Sequence, residues 1–192
     1  PSFELVVNLP TETTLHQSNL KDATAVWQTL FNHAKTEINI AQFYVYSQPN
    51  SELDTVLQSL HRAGERGVKI RFLLDQAGTR LSNPETIKQL QAIPNLELRI
   101  MNFSKLSQGI IHAKYLSVDG REAFVGSQNF DWRALKHIHE TGLKIQDSTM
   151  VQHINQIFEA DWHNQQRVEQ QQAPLSYQQH PQLDNVRHGD YV

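Results

Sequence analysis

Between residues 110 and 129 the chain reads IIHAKYLSVDGREAFVGSQN: a His and a Lys two apart, an Asp five further on, then Gly-Ser-x-Asn. Apolar and polar types alternate around His112, which predicts a strand, and side chains two apart in a strand share a face. His112 and Lys114 are therefore expected to point one way, with Ala113 and Tyr115 pointing the other. Gly120 supplies a turn after Asp119, and residues 122–125 predict a second, antiparallel strand. Such a hairpin returns Ser127 and Asn129 towards His112. One nucleophile or base, one fixed cation and two neutral hydrogen-bonding groups then converge on a small volume, the set that a phosphodiester monoanion needs.

The rest of the chain predicts a scaffold for that hairpin. Strands are expected at residues 3–9, 37–46, 68–75, 96–101 and 139–146, where β-branched and aromatic types cluster or alternate. Residues 21–35 carry Ala23, Val26, Trp27, Leu30, Phe31 and Ala34 at helical spacing. A second helix starts at the cap Ser51 and ends near Gly67, and a third starts at Asn83-Pro84, Asn capping and Pro in the first turn. A last helix is expected over residues 148–162. Strands alternating with helices predict an α/β fold, an α/β/α sandwich around a mixed central β-sheet. The domain is drawn at residues 1–163. Residues 164–192, rich in Gln and His, lack a sustained apolar period and read as a linker or tail, with 187–192 as the possible start of a further strand.

Composition narrows the chemistry. The 192 residues suffice for one domain with a real core, and the net charge of −3 advertises no polyanion-binding surface, although a local basic site remains compatible with it. No cysteine is present, which excludes a disulfide framework, a thiolate metal site and a Cys nucleophile. No apolar run approaches the roughly 18 residues of a membrane span, so a soluble chain is expected. His137 and His139 have metal-like spacing, but no third ligand accompanies them, and no metal or cofactor is expected.

The spacing of His112, Lys114, Asp119, Gly126, Ser127 and Asn129 resembles the phospholipase D superfamily, the HKD phosphodiesterases, and the likeness extends from Phe3 to Trp162. The runs QNFDWRAL (128–135), HETGLKI (139–145) and IFEADW (157–162) are most similar to the branch containing the animal lysosomal 5′ exonucleases. The resemblance implies one phospholipase D-like half, with His112 attacking phosphorus to form a covalent phosphohistidine and a second His supplied from elsewhere. Lys114, Ser127 and Asn129 would bind the phosphate oxygens. Glu140, thirteen residues after Ser127, would hold the other nitrogen of His112, and Asp119 and Gly126 would be structural. No second H-x-K-x4-D occurs, so the second half is expected from a longer chain or a homodimer partner. The absent N-terminal Met and the family branch suggest a secreted or periplasmic setting.

Taken singly, these residues have plainer readings. Lys114 would be a solvated strand lysine, Ser127 and Asn129 turn formers, and Glu140 a surface partner for Lys144. Trp132 and Arg133 read as packing for the loop after the motif, with Trp132 also able to stack on a base. Phe43, Tyr44 and Tyr46 read as core and strand-end packing, while Tyr46 and Gln48 lie where strand passes to loop. Single-stranded nucleic acid is the expected substrate. A phospholipid is the alternative, and a non-catalytic phosphate-binding half-module the second alternative.

Overall fold

A computed structural model describes residues 2–15 and 19–175; the strand start expected at 187–192 and most of the expected tail lie outside them. The elements in order are β1 (Ser2–Asn8), α1 (Ala23–His33), β2 (Glu37–Gln42), β3 (Val45–Tyr46), α2 (Glu52–Glu65), β4 (Lys69–Asp75), a 3-10 turn (Ala77–Arg80), α3 (Pro84–Gln91), β5 (Leu96–Met101), α4 (Ser104–Ser107), β6 (Tyr115–Val118), β7 (Glu122–Gly126), β8 (Phe130–Asp131), β9 (Glu140–Gln146) and α5 (Ser148–Glu169). The helix starts are set by side-chain caps. Asp22, Ser51 and Asn83 accept from the backbone N–H of Ala25, Asp54 and Glu85 at 2.8, 3.1 and 2.9 Å, each contact worth about 1 kcal/mol.

Seven strands form one sheet in the order β1-β9-β7-β6-β2-β4-β5. Strands β2, β4 and β5 are parallel, and the remaining neighbours are antiparallel, so the sheet is mixed. Alternation along each strand separates two cores. Ile38, Ile40, Ile70 and Phe72 share one core with Trp27, Phe31, Leu57 and Leu60 from α1 and α2. Ala41, Leu73, Tyr115, Ala123 and Ile145 share the other with Val151, Ile154, Phe158 and Trp162 from α5. This is the α/β/α sandwich expected from the sequence. Trp27 meets Phe124 edge-on at 5.4 Å and Phe130 at 4.7 Å, geometries worth about 0.5–1.5 kcal/mol per pair beyond the area buried.

Two elements depart from expectation. The strand expected over residues 37–46 stops at Gln42, and Val45–Tyr46 pairs instead with β8 in a separate two-stranded sheet. The cause is local packing: a Cβ on Gly78 would lie 1.7 Å from the Phe43 carbonyl oxygen, so the two backbones touch there. The Gln42 side chain also turns to accept from the Phe130 N–H at 3.1 Å. At the other end, α5 runs past Trp162 to Glu169. Asn164 is buried and exchanges two hydrogen bonds with the Leu175 backbone, at 2.7 and 3.2 Å, while Gln165 accepts from Asn102 N–H.

The strand directions bring one end of the sheet together. The C-terminal ends of β1, β7, β2 and β4 meet the N-terminal ends of β9 and β6 along a single edge, marked by Asn8, Gly126, Gln42, Asp75, Glu140 and Tyr115. No helix among the described residues is long and apolar enough to cross a membrane.

Candidate active site

The approach to β6 is set by a buried carboxylate at the end of β4. Asp75 is 2% exposed, and its two oxygens accept from the N–H groups of Ile111 at 2.6 Å and Ala77 at 2.7 Å. Residues 109–114 are not part of the ladder, contrary to the strand expected around His112. The register of β6 ends at Tyr115 opposite Ala41 and Val125; beyond it only the Gly126 N–H reaches the Lys114 carbonyl, at 3.2 Å. Released from the pleat, His112 and Ala113 are both exposed while Lys114 is buried.

His112 and Lys114 nonetheless converge. The lysine side chain folds back, so that Nζ donates to the His112 carbonyl at 2.7 Å and lies 3.2 Å from Nδ1 and 3.4 Å from Nε2 of the same residue. Burial pushes the Lys114 ammonium below its usual pKa, and the Glu140 charge partly opposes that shift. The ring of Phe43, expected only to pack, lies tilted 5.1 Å from the imidazole.

The second side of the site comes from β7 and β9. Gly126 faces Gly142 across the two strands, and a side chain on either would force its neighbours to shift. A Cβ on Gly126 would sit 2.3 Å from Gln128 Oε1, and one on Gly142 would sit 2.3 Å from the Phe124 ring. Gln128 is wholly buried and donates to Asn8 Oδ1 at 3.1 Å; Asn8 in turn accepts from the Ala23 N–H and donates to the Leu135 carbonyl. This buried knot fixes the turn that presents Ser127 and Asn129. The Ser127 hydroxyl donates to Glu140 and accepts from the Thr141 N–H at 3.1 Å. The bond expected between Glu140 and His112 is thus replaced by one between Glu140 and Ser127. Asn129 Oδ1 is buried without a hydrogen-bond partner, a state that costs about 1–3 kcal/mol.

A neighbouring network borders the site. Asp131, 1% exposed, accepts from Tyr44 Oη at 2.6 Å and from Arg133 Nη2 at 2.6 Å and Nε at 3.0 Å. Burial raises the Asp131 carboxyl, but Arg133 and Tyr44 outweigh it and hold the pKa low. Burial, reinforced by Asp131, pushes the Tyr44 hydroxyl far up. His137 forms an ion pair with Glu12, and Trp132 meets the His137 ring edge-on at 5.4 Å. No group of three His, Asp or Glu residues able to hold a metal occurs among the described residues.

Asp119 stands apart from all of these. It lies past the far end of β6, about 13 Å along a four-residue strand from the His112 end. Its carboxylate accepts from the N–H groups of Lys35, Thr36 and Glu37 at 2.9, 2.8 and 3.0 Å and from the Thr36 hydroxyl at 2.9 Å. Burial raises this carboxyl, and the backbone donors more than reverse that. Asp75, Gly142 and the Asn8–Gln128 pair carry no signal in the sequence, and Phe43 is expected there only as packing, because each acts through a contact between segments distant in sequence.

The chain is similar to known proteins over this same region. Residues 28–162 match the family described as "Cardiolipin synthase, PLD-like domain". The 5′-3′ exonuclease PLD3 of Xenopus laevis is 32% identical over 149 residues, covering 71% of this chain and 29% of that protein. Phospholipase D Z of Dictyostelium discoideum is 32% identical over 172 residues, covering 84% of this chain and 40% of that protein. The chain therefore spans less than half the length of these curated relatives. Among solved structures, the phospholipase D family member Nuc of Salmonella typhimurium superimposes with a TM-score of 0.64 at 22% identity, over 84% of this chain and 94% of Nuc. NucT of Helicobacter pylori gives 0.67 at 20% identity, over 84% and 97%. With His112 and Lys114 gathered at the strand ends and the family match covering most of the fold, this chain belongs to the phospholipase D-like family.

Proposed function

We propose that the chain supplies one half of a phosphodiesterase site that cleaves single-stranded nucleic acid through a phosphohistidine. The observation that carries this is the exposed His112 imidazole with the Lys114 ammonium 3.2 Å away, a nucleophile beside a fixed cation. A ring nitrogen of His112 attacks phosphorus, and the bond to the leaving oxygen breaks as a second His, from the other half, protonates it. Water activated by that second His then attacks phosphorus, the P–N bond breaks and His112 is regenerated. Lys114 and Asn129 stabilise the nonbridging oxygens as charge builds in the five-coordinate state. Ser127 joins them once its proton turns from Glu140, whose charge opposes the burial that lowers the Lys114 pKa. The scheme routes no step through a metal.

The second half has a place to dock. Leu5 and Val125 are 51% and 41% exposed and flank Leu143 in register across β1, β9 and β7, an apolar row beside the site. A second copy of the chain, or the remainder of a longer one, would cover it. The nucleic-acid reading is favoured by the relatives named as exonucleases. The phospholipid reading is favoured by the relative named phospholipase D Z and by Ile110 and Ile138, 47% and 42% exposed, near His112 and Glu140 in sequence. Mononucleotide release from a labelled single strand, retained in EDTA and lost in His112→Ala, is the expected result. Choline release from phosphatidylcholine micelles with no nucleotide release would replace the nuclease reading with the lipase one.

A further inference from the structure

Beside the His112 segment, on the other side of Asp75, lies a cleft of about 330 Å³ between the Gln76–Arg80 turn and the segment from Asn102 to Gly109. We propose that this cleft seats the nucleobase adjoining the scissile phosphate, with the Phe103 ring as its stacking wall and Arg80 reaching the next phosphate. The inference rests on the nucleic-acid reading above and adds a base-binding subsite to it.

The cleft and the site are joined twice. Asp75 lines the cleft and also holds the Ile111 N–H, one residue before His112. The turn at Gly78 packs on the Phe43 carbonyl, and the Phe43 ring packs on His112. A ligand in the cleft therefore sits against the same rigid elements that place the imidazole. The volume lies in the range of small-molecule sites, about 300–1,000 Å³. The lining suits a base: a half-buried aromatic ring, the amides of Gln76 and Asn102, and the hydroxyl oxygens of Thr79 and Ser104, which donate within the protein and are left to accept. The Asn102 Oδ1 already accepts from Ser104 at 2.7 Å, which fixes the amide and leaves its N–H₂ free to donate. Asp75 is spent on two backbone N–H groups, while Arg80 is exposed and forms no ion pair among the described residues. The exposed charge at the mouth is thus the Arg80 guanidinium, while the equal and opposite Asp75 carboxylate lies buried, so a phosphate-linked base meets the cation first. A phospholipid would instead need an apolar wall, and Phe103 is the only large apolar side chain lining the cleft.

The test is fluorescence anisotropy with a labelled single-stranded hexadeoxyadenylate and an abasic hexamer of the same length. All proteins carry His112→Ala, so that neither strand is consumed. Phe103→Ala should weaken adenylate binding about 5- to 100-fold, the range for loss of one base stack, and leave abasic binding unchanged. Phe103→Trp should restore adenylate affinity. Arg80→Gln should weaken both strands alike and lower the salt slope by about one contact. Equal weakening of both strands by Phe103→Ala, no weakening of either, or failure of the parent protein to bind either strand would overturn the cleft assignment. Turnover of bis(p-nitrophenyl) phosphate, which needs no nucleobase, by an assembly that holds both halves with His112 intact tests the phosphodiesterase reading separately. Absence of that turnover alongside base-dependent binding would sink the reaction and keep the subsite.

Discussion

The two ends of β6 carry residues of one motif, yet they are built on opposite principles. At the Asp119 end the carboxylate takes four hydrogen bonds, three from consecutive backbone N–H groups that lead into β2. At the His112 end the polar groups are grouped but less completely satisfied: an exposed imidazole and a buried lysine with a lowered pKa. A saturated polar group fixes a fold, because every partner it could offer a ligand is already taken. An unsaturated one, held rigid, is available to a ligand. On the proposed function, the motif specifies a hairpin at one end and chemistry at the other.

Breaking either end should separate activity from stability. In an assembly competent for turnover, His112→Ala should lower kcat at least about 10³-fold while shifting stability by no more than about 0.5 kcal/mol, since the side chain is exposed. Lys114→Met should lower it about 10²–10³-fold, measured as kcat/KM on the same diester. At the structural end, Asp119→Ala should leave the activity of each folded molecule intact and cost about 1–3 kcal/mol in urea unfolding, because backbone donors lose their acceptor. If Asp119→Ala instead abolished turnover in fully folded protein, the division between the ends would collapse. Gly126→Ala sharpens the contrast, since its Cβ would meet Gln128 Oε1 at 2.3 Å in the turn that presents Ser127. Overpacking of about 1–3 kcal/mol and a fall in kcat should appear together.

The pH dependence of stability should follow the Asp119 end. The folded carboxyl has a lowered pKa, so its contribution is complete above the unfolded value of about 3.9 and is lost as pH falls through the folded one. The stability gap between the wild type and Asp119→Ala should therefore be constant near neutral pH and close on acidification; a gap that widened with acid would reverse the assignment. Glu140→Gln should have the smallest effect, about a tenfold loss of kcat with expression unchanged. Unchanged kinetics would reduce Glu140 to a strand residue bonded to Ser127.

Local signals made the helices legible in the sequence: Ser51 and Asn83 cap where residue type said they should, and Trp27, Leu30 and Phe31 bury the face their spacing predicts. The HKD spacing was legible because His112 and Lys114 lead directly into the hairpin of β6 and β7, and Asp119 sits at its turn. What the sequence could not convey is how the segments meet. Phe43 leaves its strand because Gly78, thirty-five residues away, needs its backbone. His112 leaves the ladder because Asp75 captures Ile111, and Lys114 reaches it by folding back rather than by sharing a strand face. The Gln-rich stretch after Trp162 stays helical through polar burial at Asn164 and Gln165, which an apolar periodicity does not register.

The most direct test is to trap the covalent intermediate. A turnover-competent assembly incubated with labelled single strand, quenched in alkali and mapped by mass spectrometry should carry a base-stable, acid-labile phosphoryl adduct on His112, absent in His112→Ala. Full hydrolysis with no adduct on His112, and activity retained in His112→Ala, would contradict the assignment of the open end of β6 as the reacting one.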